Sequence, residues 1–136
     1  MVRGPSAAQF RPPPATAAEA APRASDESPF LELRHVEGWV VATLPDEIDL
    51  VNAEAIERAL ARLVSTGHPR IVLDAQESAF VDSSGLSALV KAHGAARGAA
   101  GDLRMARVGG HLARVIRVIG LGRLIDIYPT VEEALA

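Results

Sequence analysis

The chain has 136 residues, 49% of them hydrophobic but only 4% aromatic, and a net charge of −3 from 14 basic and 17 acidic side chains. That length supports one domain with a core of Leu, Val, Ile and Ala, and the balanced charge gives no general attraction to nucleic acid or to an anionic membrane. The absence of cysteine excludes disulfides, thiolate metal sites and a cysteine nucleophile, and no apolar run approaches the ~20 residues of a bilayer span or the h-region of a secretory signal, so a cytoplasmic protein is expected.

Residues 1–29 hold six of the nine prolines and, after the first two residues, one large apolar side chain, Phe10. Such a segment cannot bury enough surface to offset its conformational entropy, and a disordered Pro/Ala-rich tail is expected. The folded domain is expected to cover 30–136. Two apolar or alternating runs flank Glu37-Gly38 and predict a hairpin. Ile56, Leu60, Leu63 and Val64 then recur at helical spacing, with Asn52 at the N-cap position and Gly67 as the stop. Arg70–Asp74 is a short continuously apolar strand of the kind buried on both faces.

A further strand-like run ends at Val81, and a helix is predicted from about Ser84 to Arg97. Leu103–Val108 predicts a strand, and Gly109-Gly110 introduces a helix with Leu112, Val115, Ile116 and Ile119 on one face. Leu124–Tyr128 predicts a last short strand, and Pro129-Thr130 opens a final helical turn carrying Glu132 and Glu133. Alternating strands and helices after a hairpin imply parallel strands with right-handed crossovers. The expected fold class is therefore α/β, a small mixed four- to five-stranded sheet with its helices on one face.

The chemistry concentrates in FVDSSGLSAL, residues 80–89. Asp82, Ser83 and Ser84 are all good N-caps, because their oxygens can accept the unpaired amides of a first helical turn. Spacing alone asks for nothing more than a cap. The same position would nonetheless tolerate a phosphate on Ser83 or Ser84, since free amides and the helix dipole favour an anion there. Along the following helix Gly85, Ala88, Ala92 and Ala96 make a small-residue face, suited equally to packing on the sheet or to a partner, while Ser87 and Lys91 are expected to be exposed. A serine hydrolase would need Ser84, a base from His35, His68, His93 or His111, and an acid such as Asp74, but SSGLS is not a G-x-S-x-G elbow and no histidine spacing selects a base. Arg104, Arg107, Arg114, Arg117 and Arg123 crowd one stretch without the aromatic platform that nucleic-acid binding uses, so a solvated face is expected there.

FVDSSGLSAL, together with PDEIDLVNAEAIERAL and the closing VIGLGRLIDIYPTVEEAL, resembles the STAS domain of bacterial anti-sigma factor antagonists over about residues 30–136. The resemblance implies a non-enzymatic binding module that is itself a kinase substrate. Unphosphorylated, it would bind an anti-sigma factor serine kinase and free a sigma factor; phosphorylation would end the complex and a PP2C-type phosphatase would reset it. The phosphoacceptor falls on Ser84, with Ser83 as the fallback, and Asp49 matches a partner-contacting position, joined at the partner-binding surface by Asp82, Ser83, Gly85, Ser87 and Lys91. Where a Gly commonly precedes the acidic pair of the loop, this chain has Asp46. No cofactor, metal, nucleic acid or membrane is implied. Other occupants of the same fold are a stressosome scaffold or a lipid-transport accessory subunit.

Overall fold

A computed structural model of the protein describes residues 31–78 and 80–136; the tail expected over 1–29 lies outside the described residues. The chain opens with β1 (Glu32–Val36) and β2 (Trp39–Thr43), antiparallel through a two-residue turn. Glu37 and Gly38 sit at φ 53° and 87°, the left-handed pair that matches the twist of a tight hairpin. After β3 (Glu47–Ile48) come α1 (Ala53–Ser65), β4 (Arg70–Asp74), β5 (Phe80–Val81), α2 (Ser83–Gly98) and β6 (Asp102–Ala106). The chain closes with α3 (Gly110–Ile119), a 3-10 turn (Leu121–Arg123), β7 (Ile127–Tyr128) and α4 (Val131–Leu135).

The main sheet has five strands in the order β1-β2-β4-β6-β7, and every pairing after the hairpin is parallel. The expected mixed sheet is thus present. Alternation along its strands sends Val40, Ala42, Ile71, Leu73, Leu103 and Met105 into one layer with α1, α2 and α3. Ile56, Leu60 and Leu63 of α1 and Leu112 of α3 are fully buried in that layer, where truncating any one to Ala costs about 2–5 kcal/mol. The opposite residues of the strands, Trp39, Val41, Val72 and Ala106, need cover too, and α4 supplies it with Val131 and Ala134. Three long helices therefore occupy one face, as expected, while the short α4 covers the other. Arg104 ties α4 down: it donates to the Ala134 carbonyl at 2.7 Å and lies over the Trp39 ring at 4.5 Å.

Two elements end differently from the sequence expectation. The strand predicted to reach Val108 stops at Ala106, because Arg107 turns to φ 61° and its guanidinium reaches back to the Asp74 carboxylate. The strand predicted over 124–128 shrinks to Ile127–Tyr128, since the 3-10 turn occupies 121–123 and β6 offers partners only at Met105 and Ala106. Gly120 closes α3 in the left-handed conformation, φ 77°.

Candidate functional site

The candidate site lies beyond the carboxyl ends of β2 and β4, where the chain leaves the main sheet and builds a smaller one. There β3 and β5 pair in parallel, Glu47 with Phe80 and Ile48 with Val81. Phe80 N–H donates to the Asp46 carbonyl and Asp82 N–H to the Ile48 carbonyl. Ser78 braces the approach, its hydroxyl donating to the Pro45 carbonyl at 2.7 Å. The strand-like run expected to end at Val81 is β5; its two-residue partner β3 carries no readable periodicity, and the ribbon they form sets the acidic loop directly against the start of α2.

Asp82 is the N-cap of α2, with Oδ1 accepting from Gly85 N–H at 3.0 Å. The helix begins at Ser83, one residue earlier than predicted. The hydroxyls of Ser83 and Ser84 make no hydrogen bond with any described residue, so neither serves as the cap. Ser83 is exposed and Ser84 half-buried. The second oxygen of Asp82 accepts from Leu50 N–H at 3.2 Å. One carboxylate thus joins two segments more than thirty residues apart in sequence.

The loop it holds is tightly folded. Asn52 stands at the N-cap position of α1 but does not cap it; its Oδ1 accepts from Asp49 N–H and its Nδ2 donates to the Glu47 carbonyl. The Asp49 carboxylate is also spent locally, accepting from Val51 N–H at 3.0 Å. Asp46 keeps a negative φ, so no glycine is needed there and the loop closes with an ordinary side chain. The consequence is that Leu50 and Val51 project into solvent, 78% and 88% exposed. A hydrophobic staple would have folded Val51 against Ile56 at the head of α1; instead Ile56 is buried and Val51 is not. Phe80, stacked on His111 at 5.3 Å between centroids, is the third exposed apolar side chain of this region.

The other sequence candidates separate cleanly. Ser87 and Lys91 are exposed on α2, and the Lys91 ammonium lies 3.9 Å from Glu57 of α1. Gly85, expected at the partner surface, is buried: a Cβ there would stand 2.7 Å from side-chain carbons of both Ile48 and Val81. Its role is the close approach of α2 to the small ribbon. The small-residue face it begins, Ala88, Ala92 and Ala96, is likewise buried in the core, so packing rather than a partner explains that pattern.

Among the described residues neither the Ser83 nor the Ser84 hydroxyl is hydrogen-bonded to a histidine, and the ring of His111 is stacked on Phe80. Asp74 is buried and its carboxylate accepts from Arg107 Nε at 3.0 Å and from Gln76 N–H. Burial alone would raise its pKa, but the bonds from Arg107 and the Gln76 amide outweigh it and hold the carboxyl below its ordinary value. His93 is buried on the same helix as Ser84, nine residues and about 13 Å along the axis, with Asp102 rather than a serine beside it. His35 and His68 meet edge to face, with ring centroids 5.2 Å apart, His68 just ahead of β4 at the opposite end of the strands. Among the described residues no group of three or more His, Asp or Glu side chains could hold a metal ion.

A mixed sheet of this order, with an Asp-Ser-Ser-Gly helix start set against an acidic loop, defines a class. The STAS-domain family model matches residues 30–134, and the chain belongs to that family. It is 26% identical over 106 residues, 78% of this chain and 91% of the other, to BtrV of Bordetella bronchiseptica, a candidate anti-sigma factor antagonist. Among solved structures it resembles an anti-sigma factor antagonist from Mycobacterium paratuberculosis, at 28% identity and a TM-score of 0.70 over 77% of this chain and 89% of that one. The antagonist SpoIIAA of Bacillus shares the fold at 23% identity in both forms in which it has been solved. The unphosphorylated form gives a TM-score of 0.67 over 77% of this chain and 92% of that one, and the phosphorylated form 0.62 over 77% and 96%.

Proposed function

We propose that the protein is an anti-sigma factor antagonist that works by partner switching, with Ser84 as the residue whose phosphorylation turns binding off. The observation that carries this is the division of labour at the head of α2: Asp82 caps the helix, which leaves the Ser84 hydroxyl without a structural duty. A residue free of structural bonds can be modified without unfolding its host. The unphosphorylated surface, with Leu50, Val51 and Phe80 around the two serines, would dock on an anti-sigma factor serine kinase and so free a sigma factor. Asp49, Asp82, Ser83, Ser87 and Lys91 border that surface. The antagonists to which the chain is similar, one of them solved with and without phosphate, support the reading.

The switch follows from charge. A phosphate on Ser84 adds about −1.5 to −2 charges, two residues along the chain from the Asp82 carboxylate. The Ser83 and Ser84 amides donate to no described acceptor, so the fold can accept the anion. A partner packed over the apolar loop could not; leaving such a charge buried and unpaired costs about 3–5 kcal/mol, roughly two to three and a half decades of affinity. The kinase supplies ATP and its own catalytic groups, a PP2C-type phosphatase resets the serine, and the exchange takes place in the cytoplasm. No described helix is long and apolar enough to cross a membrane.

The test is mass spectrometry after incubation with the anti-sigma kinases of the host and ATP. One added phosphate, mapped to Ser84 and absent from Ser84→Ala, is expected. Phosphate that persists on Ser84→Ala and disappears from Ser83→Ala would move the acceptor one residue, and an unchanged mass with every kinase would end the proposal.

A further inference from the structure

The surface around the end of α3 is unlike the rest of the molecule. Residues 103–130 carry five arginines against one aspartate, a net of +4 in a chain whose total is −3. Two of those arginines are occupied by the fold, Arg104 with Asp102 and Ala134, and Arg107 with Asp74. The other three, Arg114, Arg117 and Arg123, form no ion pair with any described residue.

Two of these three arginines line a cavity. A groove of about 320 Å³ runs between α3, the 3-10 turn and β7, floored by Val108, Ile116 and Ile127 and flanked by Arg117 and Arg123. Its volume lies at the lower end of the range for small-molecule sites, and its make-up, an apolar body with few charged groups, is the usual one for such sites. The same two elements carry further exposed apolar side chains outside the groove: Val118 is 77% and Ile119 53% exposed on α3, and Leu124, directly after the 3-10 turn, is 48% exposed. Gly120, in the left-handed conformation, and Gly122 line the groove without side chains.

We propose that this groove is a binding site for an amphipathic anion, a single carboxylate head on an unbranched alkyl chain, taken up as a free monomer. Ile116, Ile127 and Val108 would cover the alkyl chain, and Arg117 and Arg123 would hold the carboxylate through paired N–H donors. Each half of the ligand answers one half of the site. An acid without a tail gains only exposed ion pairs, which are weak in water. A tail with a cationic head meets two like charges at the wall. The groove lies toward the carboxyl end of α3, whereas the contact of α3 with Phe80 is made by His111 at its amino end, and the proposal does not depend on the partner-switching reading.

The experiment is a ¹H–¹⁵N titration of the full, unphosphorylated chain with sodium decanoate below its micelle concentration, with acetate and decyltrimethylammonium as the comparison ligands. Saturable shifts confined to the amides of 108, 112–123 and 127 are expected, at least tenfold tighter for decanoate than for either comparison ligand. Arg117→Glu with Arg123→Glu, both surface changes, should weaken decanoate at least tenfold, and Arg117→Gln with Arg123→Gln by an intermediate factor. Equal affinity for the ammonium analogue, equal affinity for acetate, or shifts that are not saturable or fall equally on Leu50, Val51 and Phe80 would each overturn the proposal. None of these outcomes bears on whether Ser84 is phosphorylated.

Discussion

Asp74 and Asp82 lie eight residues apart; Asp74 is the last residue of one parallel strand and Asp82 directly follows another. Both carboxylates have their two oxygens occupied, yet by different kinds of donor. Asp74 is 4% exposed and, besides the neighbouring Gln76 amide, is met by the guanidinium of Arg107, a charge for a charge. Asp82 is half-buried and is met only by backbone amides, Gly85 from the helix it caps and Leu50 from a loop far away in sequence. A carboxylate paired with a side chain stabilises one arrangement and no more. A carboxylate shared between the amides of two segments fixes their relation to each other, and here those segments carry the free serines and the exposed Leu50-Val51 pair. The first aspartate belongs to stability and the second to the geometry of binding.

The largest effect that would sharpen this contrast is a charge at Ser84. Ser84→Glu should lower affinity for the cognate kinase by about 3 kcal/mol, roughly two decades, by calorimetry, while the unfolding free energy from denaturant titration changes by no more than the ~0.5 kcal/mol of an ordinary surface change. If instead the stability falls by several kcal/mol and binding persists, Ser84 belongs with Asp74 and the division between the two regions fails.

Asp74→Ala should behave in the reverse way, losing about 2 kcal/mol of stability with the loss of charge-assisted bonds and leaving kinase affinity unchanged. The pH dependence has a defined sign. The folded pKa of Asp74 lies below its unfolded value, so its contribution is fully present above about pH 4 and drains away as the pH falls through the lower folded value. Acid unfolding followed by circular dichroism should therefore be less steep in Asp74→Ala than in the parent chain. Parallel curves would mean that Arg107 does not hold the charged form.

Leu50→Ser with Val51→Ser comes next. Both side chains stand in water, so stability should stay within about 0.5 kcal/mol. Affinity for the kinase should drop by about 1–3 kcal/mol if these apolar tips are the contact that excludes water. Unchanged affinity would locate the interface elsewhere on the surface.

Much of this architecture is legible in the chain because it rests on local rules. The Glu37-Gly38 hairpin, the i, i+3, i+4 stripe of α1 and the apolar run of β4 each declare themselves within a dozen residues, and the DSSG motif with its flanks carries the family. What was hidden depends on pairs distant in sequence. Nothing local to Arg107 announces a partner at Asp74, so the early stop of β6 could not be read. Nor does LVN between an acidic loop and a helix reveal whether its apolar residues point in or out. Ile48 and Val81, which leave no room at Gly85 for a side chain, explain why a residue read as part of a partner surface is internal.

The smallest effect is the most discriminating, because it separates the two bonds of Asp82. Asp82→Ala removes both and should cost about 1 kcal/mol, the usual loss on deleting an N-cap. Asp82→Asn keeps one carbonyl oxygen and replaces the other with an NH₂ group, so it can accept from only one of the two amides. Asn is as good a cap as Asp, and the helix bond at 3.0 Å is shorter than the loop bond at 3.2 Å. The oxygen should therefore stay with Gly85 and present the NH₂ group to Leu50 N–H, donor against donor. Stability should remain within about 0.5 kcal/mol of the parent, while the Leu50 amide resonance shifts and broadens and kinase affinity falls. Should the affinity survive with the Leu50 resonance displaced, the loop binds without its tether, and Asp82 is a helix cap alone.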